Sequence, residues 1–371
     1  MIVVGGHHAT VMPADFLSPE IDIVVVGEGV FAFKAIVERL DRGERLLAIP
    51  GVGTRSGDGG LAMTPAEPVR DLDSCPFPAR SLTAPYRSSY FCDWMKPLAS
   101  MRTSKGCPFR CSFCAQWKTA GGHYLRRSPE RVVEELATIG EPCVFFADDE
   151  SLVDVERMTR LATLIAEAGI RKRYFLYGRS DTIARNRPLL ERWRDIGLER
   201  VFVGLEFSRD DDLRFIRKRS TIEDNERAVR TLQDLGIDIH ASLIVRPEFD
   251  HDDFDALRRY CRRLGLNYPG FAVLTPLPGT ELHDALEDRL LPLDYEYFDF
   301  IHTVLPTALP VEEFYREYAR LFPRSVPVWK RLALLGRFPW RERPGLIRRS
   351  SRFFGRLRSM HLDYAELPSR L

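Results

Sequence analysis

Seven cysteines lie along the chain, and three of them fall within eight positions of the stretch Lys105-Gly106-Cys107-Pro108-Phe109-Arg110-Cys111-Ser112-Phe113-Cys114. Thiolates are metal ligands, and three so close together point to a metal centre rather than to core packing. Fully protein-ligated iron–sulfur clusters use four cysteines, and structural zinc uses four Cys or His ligands. Cys107, Cys111 and Cys114 on a cubane cluster would leave one iron free, where a small molecule can bind. The zinc alternative needs a fourth ligand, and His123 is the nearby candidate. The other thiols, Cys75, Cys92, Cys143 and Cys261, form no disulfide-like framework, so they read as buried or incidental groups in a reducing cytosol.

A loop of this kind needs a scaffold, and the chain from about Leu98 onward supplies one. Short apolar runs alternate with amphipathic helical segments, the pattern of βα units on a parallel sheet or barrel. Strands are expected near 98–103, 143–147, 173–177, 201–207, 237–245 and 270–274, with helices between them. Ser128 and Pro129 make an N-cap and first-turn pair for the first crossover helix. In parallel barrels the chemistry gathers at the C-terminal ends of the strands. There stand Asp148-Asp149-Glu150 after the second strand, Arg179 after the third, Glu206 in the fourth and Arg246 after the fifth. The carboxylate trio reads either as a helix cap or as an acceptor for a cationic group. Arg179 suits bidentate capture of a carboxylate or a surface ion pair. Glu206, an acid within an apolar run, needs a partner, and a buried arginine is one option. Arg246 is a second candidate clamp.

The cysteine spacing, with Phe113 before the last cysteine and Gly106 ahead of the first, resembles the radical S-adenosylmethionine (radical SAM) signature. The resemblance implies a 4Fe–4S cluster on Cys107, Cys111 and Cys114, S-adenosylmethionine on the free iron, and a partial (β/α)6 barrel of the α/β class over residues 98–285. It further implies that Phe113 lies against the cofactor, that Asp148 or Asp149 accepts the cofactor's ammonium group, and that Glu206 meets its ribose or methionine end. The reaction implied is one-electron cleavage of S-adenosylmethionine to a 5′-deoxyadenosyl radical that takes hydrogen from an unactivated carbon, with a flavodoxin- or ferredoxin-type donor supplying the electron.

Residues 1–50 read as two βα units, the back half of a doubly wound sheet. Val3-Val4-Gly5-Gly6-His7-His8-Ala9-Thr10 and Val26-Gly27-Glu28-Gly29 resemble turns of the cobalamin-binding domain that precedes many radical SAM enzymes, so cobalamin is a further implied cofactor. The family's Asp-x-His-x-x-Gly element is absent, and the chain beginning at Met1 is expected to bind cobalamin poorly. Residues 51–97, rich in Pro, Gly, Ser and Asp, read as a linker, and 286–371 as a helical, basic and aromatic extension. Arg102 to Tyr124, Phe145 to Leu152 and Arg173 to Thr182 resemble most the hopanoid C-3 methylases, which implies a methyltransferase acting on a pentacyclic triterpenoid lipid. A cyclase or oxidoreductase acting on a tetrapyrrole or other lipid, and a non-enzymatic metal-binding module, remain as alternatives.

Net charge +1 names no partner. Neither a second cysteine trio nor a basic RNA-binding module marks a tRNA methylthiotransferase, so nucleic acid is not an expected partner. No apolar run of spanning length is present. From Arg324 to Arg358 eleven Lys or Arg face a single acid, Glu342, among Trp329, Phe338, Trp340, Phe353 and Phe354. This pattern reads either as a solvated face or as a membrane-surface anchor for a cytoplasmic enzyme, peripheral at the inner membrane.

Overall fold

The computed structural model describes residues 1–46, 48–57, 59–67 and 71–365. The chain opens with strand β1 (Val3–Gly5), the short helix His7–Val11 and strand β2 (Ile23–Val25), which pairs parallel to β1. Ile23, Val24 and Val25 are all buried, as expected of a strand covered on both faces. The helix Gly29–Asp41 packs on β2 through Ala32 and Ile36. The segment read as a linker then departs from expectation. Strand β3 (Val52–Arg55) adds antiparallel to β2 and β4 (Leu61–Met63) antiparallel to β3, giving the order β1-β2-β3-β4. Glycine reads as punctuation in sequence, but here it permits close packing: a Cβ on Gly53 would lie 2.0 Å from Met63 Sδ. Further along, the 3-10 segment Arg80–Ser89 straps the outside of the barrel, with Arg80 on Glu135 and Arg87 on Glu141.

The barrel follows. Strand β5 (Leu98–Met101) leads to a small antiparallel hairpin, β6 (Ser104–Lys105) and β7 (Leu125–Arg126), with the cysteine loop between its arms. Strands β8 (Cys143–Phe146), β9 (Arg173–Arg179), β10 (Leu198–Glu206), β11 (Asp238–Val245) and β12 (Tyr268–Val273) complete a six-stranded sheet in the order β5-β8-β9-β10-β11-β12, every pair parallel. Six βα units in chain order are what the apolar runs predict, with boundaries moved by at most a few residues. Several crossover helices start at side-chain caps: Ser128 accepts from Arg131 N–H, and full capping boxes form at Thr221/Asp224 and Asp250/Asp253. Between strands and helices lie fully buried Val132, Leu136, Phe146, Leu161, Trp193, Val203 and Leu243.

The expected boundary at residue 285 does not end the core. Helix Val311–Ser325 packs against β12 and helix His251–Arg263, burying Phe314, Tyr315, Tyr318 and Leu321 completely. Tyr318 donates its hydroxyl to the Phe271 carbonyl at 2.7 Å. Helix Arg343–Ser359 and the turn Met360–Tyr364 return to the same core through Leu357, Met360 and Tyr364. The Tyr315 and Tyr364 hydroxyls, 2.7 Å apart, both accept from Thr303 N–H. The C-terminal segment is helical as expected, yet much of it belongs to the barrel. No helix among the described residues is long and apolar enough to cross a membrane.

Candidate active site at the C-terminal ends of the strands

The cysteine loop leaves the hairpin through Gly106, whose φ is +82 and where a Cβ would lie 2.0 Å from the His123 carbonyl oxygen. Only glycine fits there without parting the hairpin arms. The loop is then stitched to two distant segments, since Ser112 N–H donates to Ile216 O at 3.0 Å and Leu282 N–H to Ser112 O at 3.0 Å. Trp117 Nε1 donates to the Cys111 carbonyl at 3.2 Å. These bonds hold Cys107, Cys111 and Cys114 along one wall of a cavity of ≈ 560 Å³ at the C-terminal ends of the strands. Phe113 lines the same wall and packs against the cluster of Phe207, Ile216 and Leu282.

Burial pushes the Cys107 thiol up to about 12 and the Cys114 thiol up to about 11, so both need a cation to ionise. Among the described residues no three His, Cys, Asp or Glu side chains close around a single metal ion. His123 is exposed and outside the cavity, so the zinc alternative lacks its fourth ligand. A cubane cluster, in which each thiolate holds a different iron, asks for three thiols spread along one wall, and the donor set fits that group.

The acids after β8 point to different tasks. Asp148 is 2% exposed and its carboxylate is saturated from within. One oxygen accepts from Thr103 N–H at 2.6 Å and Ser104 N–H at 2.9 Å, the other from the Thr103 hydroxyl at 2.6 Å. Burial outweighs these bonds and raises its pKa. Asp148 therefore staples the end of β8 to the start of the cysteine hairpin. Asp149 accepts from Gly106 N–H at 2.6 Å through Oδ2 and also lines the cavity. Glu150, buried in the cavity wall, is pushed up to about 7 by burial, against the pull of the Arg179 and Lys218 charges.

Arg179 is 5% exposed and fully engaged. Its Nε donates to Asp181 at 2.9 Å, Nη1 lies 3.6 Å from Cys111 Sγ, Nη2 bonds the Lys218 carbonyl, and its plane stacks on Phe109 at 3.7 Å. It thus sets a fixed positive charge beside a thiol, and the carboxylate clamp expected of it has no free fork.

Glu206 pairs with Lys218 Nζ at 2.7 Å, both nearly sealed from solvent, so its partner is a lysine rather than an arginine. Burial opposes the Lys218 charge, but the carboxylate outweighs it and raises the lysine's pKa. Glu206 has φ +61 at a register shift in the β10–β11 pairing, a strained backbone that turns the carboxylate inward. Gly204 makes room for it: a Cβ there would meet Glu206 Oε1 at 2.4 Å. Arg246 is not brought to this cavity; it bonds Asp212 at 2.8 Å and Glu248 at 3.4 Å and stacks on Phe215. Lys218 and the ring set Phe145, Tyr177, Phe202 and Phe300, which line the cavity, were not singled out from sequence.

Beside this site the N-terminal unit meets the hairpin. Glu28 pairs with Lys105 Nζ at 2.7 Å, and Asp15 accepts from the Tyr295 hydroxyl at 2.8 Å. His8 bonds Asp15 at 2.7 Å and packs edge-on to Tyr295. A second cavity of ≈ 430 Å³, lined by Thr10, Gly27, Glu28, Lys105, Lys118 and His123 among others, lies in this seam.

A cysteine trio stands at the mouth of a six-stranded parallel barrel, and residues 101–261 match the Radical SAM superfamily. Over 320 residues it is 35% identical to a hopanoid C-3 methylase of Methylococcus capsulatus, covering 85% of this chain and 61% of that protein. It is 30% identical over 315 residues to an anaerobic magnesium-protoporphyrin IX monomethyl ester cyclase of Rubrivivax gelatinosus, covering 82% of this chain and 56% of the cyclase. The chain thus spans about three-fifths of the length of these two curated relatives. Among solved structures it resembles the cobalamin-dependent S-adenosylmethionine radical enzyme OxsB with aqua-cobalamin and S-adenosylmethionine bound, with TM-score 0.69 at 16% identity over 86% of this chain and 53% of that one. It also resembles the radical S-adenosylmethionine methyltransferase TsrM from Kitasatospora setae, with TM-score 0.61 at 22% identity over 77% of this chain and 58% of that one. At these identities the two structures speak for the fold.

Proposed function

We propose that the protein is a radical SAM enzyme that methylates an unactivated carbon of a lipid, of the hopanoid C-3 type. The observation that carries this reading is the gathering of Cys107, Cys111 and Cys114, the Arg179 charge and an aromatic wall around one cavity. A 4Fe–4S cluster with S-adenosylmethionine supplies radical hydrogen abstraction once a flavodoxin- or ferredoxin-type donor delivers the electron. The three thiols would hold the cluster, and Arg179 would offset its negative charge. Asp149, with one oxygen bonded by Gly106 N–H, would take the ammonium group of S-adenosylmethionine, while Asp148 keeps the loop in place. The Glu206–Lys218 pair would face the ribose or methionine end. Phe145, Tyr177, Phe202 and Phe300 would exclude water and pack an apolar substrate.

Cobalamin is proposed as the methyl carrier, on the likeness of the turns around Gly5-Gly6 and Gly27-Glu28-Gly29 and on the seam cavity beside the cysteine hairpin. His8, held by Asp15, is not offered as its cobalt ligand. A second reading, cyclase chemistry on a tetrapyrrole, is favoured by the Rubrivivax relative. Anaerobic reconstitution with iron and sulfide, then reduction with S-adenosylmethionine and cobalamin, separates the readings. A pentacyclic triterpenoid gaining one methyl group with release of 5′-deoxyadenosine is the expected result. Turnover of the tetrapyrrole ester alone would favour the cyclase, and failure to form 5′-deoxyadenosine with any substrate would sink both.

A peripheral membrane contact is part of the proposal. Its support is the helix Val328–Leu335, the turn after it and the start of helix Arg343–Ser359, where Val328, Trp329, Leu332, Trp340 and Ile347 are each more than half exposed among basic residues. This face crosses the N-terminal ends of the strands: Arg337 pairs with Asp238, Lys330 Nζ bonds Gly265 O, and Phe338 packs on Trp94. The cysteine cavity opens at the other ends, so docking here would keep the enzyme at the bilayer without pressing its mouth against it. Because Tyr364 and Leu357 are core residues, removing the segment is a poor test; Trp329→Ser with Trp340→Ser should release the protein from anionic vesicles while leaving it folded.

A further inference from the structure

A groove of ≈ 830 Å³ lies between the loop before β5 and helix Arg343–Ser359, on the end of the barrel away from the cysteines. Its walls include the rings of Phe91, Phe338 and Phe353, and its cations are Lys96, Arg341 and Arg349. Among the described residues none of these three has an ion-pair or hydrogen-bond partner; Lys96 and Arg341 only lie over the rings of Phe91 and Trp340. Two acids also line the groove. Asp93 is matched by Arg200 at 2.6 Å, which leaves Glu342 as the opposing charge. The groove therefore offers three cations against one unmatched carboxylate, beside its aromatic walls.

We propose that this groove binds the phosphate headgroup of a phospholipid. Arg341 and Arg349 take the phosphate oxygens with Lys96 behind them, and the three rings pack against the glycerol and first methylenes. The aromatic walls favour a phosphate that carries an apolar body over a free ion. The carboxylate of Glu342 and the short reach of the groove disfavour a nucleic-acid strand, which needs an extended basic track. The proposal rests on the peripheral contact argued above and gives it a lipid-specific element.

The test uses the full chain with its cluster reconstituted and compares two double variants. Arg341→Gln/Arg349→Gln alters the groove, and Arg348→Gln/Arg352→Gln removes two exposed charges of helix Arg343–Ser359 that do not line it. General attraction to an anionic surface falls by roughly fivefold for each charge lost, whichever pair is removed. Phosphatidylglycerol vesicles should therefore be bound at least tenfold more weakly by the groove variant than by the control variant. A monomeric short-chain phosphatidylglycerol should bind saturably to the unaltered protein, read by tryptophan fluorescence, and not to the groove variant; equimolar inorganic phosphate should not displace it. Equal losses in both variants would overturn the groove while leaving membrane docking intact. Displacement by phosphate at the same concentration would make it a free-anion site and refute the lipid assignment. If vesicles are ignored by the unaltered protein, the docking reading fails, and saturable short-chain binding alone would then uphold the groove.

Discussion

Asp148 and Asp149 stand side by side after β8, yet their removal should have opposite signatures. Asp148→Ala strips the acceptor from three donors, Thr103 N–H, Ser104 N–H and the Thr103 hydroxyl, at 2.6, 2.9 and 2.6 Å. Leaving a buried donor unmet costs roughly 1–3 kcal/mol each, so the gross loss over the three is about 3–9 kcal/mol. Relief of the cost of burying the charge, visible in the raised pKa of Asp148, returns part of it. A net loss of about 3 kcal/mol is a large share of the roughly 5–15 kcal/mol that holds a domain folded. Asp148→Asn keeps an oxygen for both backbone donors and should stay within about 1 kcal/mol of the parent. Asp149→Ala forfeits the bond from Gly106 and the proposed ammonium contact. Its affinity for S-adenosylmethionine should fall roughly tenfold to a hundredfold, the loss of about 1.5–3 kcal/mol expected for a charge-assisted bond. Denaturant unfolding, iron content and equilibrium binding of S-adenosylmethionine on the three variants separate these outcomes. An Asp148→Ala protein that unfolds like its parent but binds the cofactor a hundredfold more weakly would refute the assignment of Asp148 to structure and Asp149 to binding.

Three other expectations can be checked on the same preparation. Replacing Cys107, Cys111 or Cys114 by Ala should abolish the cluster and cleavage of S-adenosylmethionine, whereas Cys143→Ala or Cys261→Ala should keep both; full iron content in Cys111→Ala would overturn the thiol assignment. Breaking the Glu206–Lys218 pair from one side, as in Lys218→Met, should destabilise by about 3–5 kcal/mol, and adding Glu206→Gln should restore most of it, measured by a double-mutant cycle. Gly106→Ala, with its Cβ driven into the His123 carbonyl, should lose the cluster while circular dichroism reports an intact barrel; normal reconstitution would contradict the hairpin geometry.

The barrel was legible because each strand is an apolar run bounded by glycines or capped helices, and because a parallel strand buried on both faces leaves no other reading for 143–147 or 201–207. The thiol loop was legible from spacing alone. Side-chain direction was not. Arg246 sits at a strand end, where a cavity contact is the natural guess, but Asp212 on the neighbouring helix lies within reach and claims it. Lys218 is concealed in Arg217-Lys218-Arg219, which reads as a solvated basic run. The left-handed backbone at Arg217 and Arg219, φ 53 and 57, turns those two side chains outward and the lysine inward. The hairpin of β3 and β4 hid behind glycines, and helix Val311–Ser325 looked like an appendage because its partner β12 lies some forty residues upstream.

The pairing of Glu28 with Lys105 also has a mechanical side. Lys105 precedes the first thiol by two residues, so this ion pair acts as a strut between the N-terminal sheet and the loop that carries Cys107. Anything that wedged the N-terminal unit outward would pull on that strut before it disturbed the barrel wall. Occupancy of the seam and the placement of the thiols are in this way linked through this largely buried pair, and Glu28→Gln would slacken the link without touching the thiols.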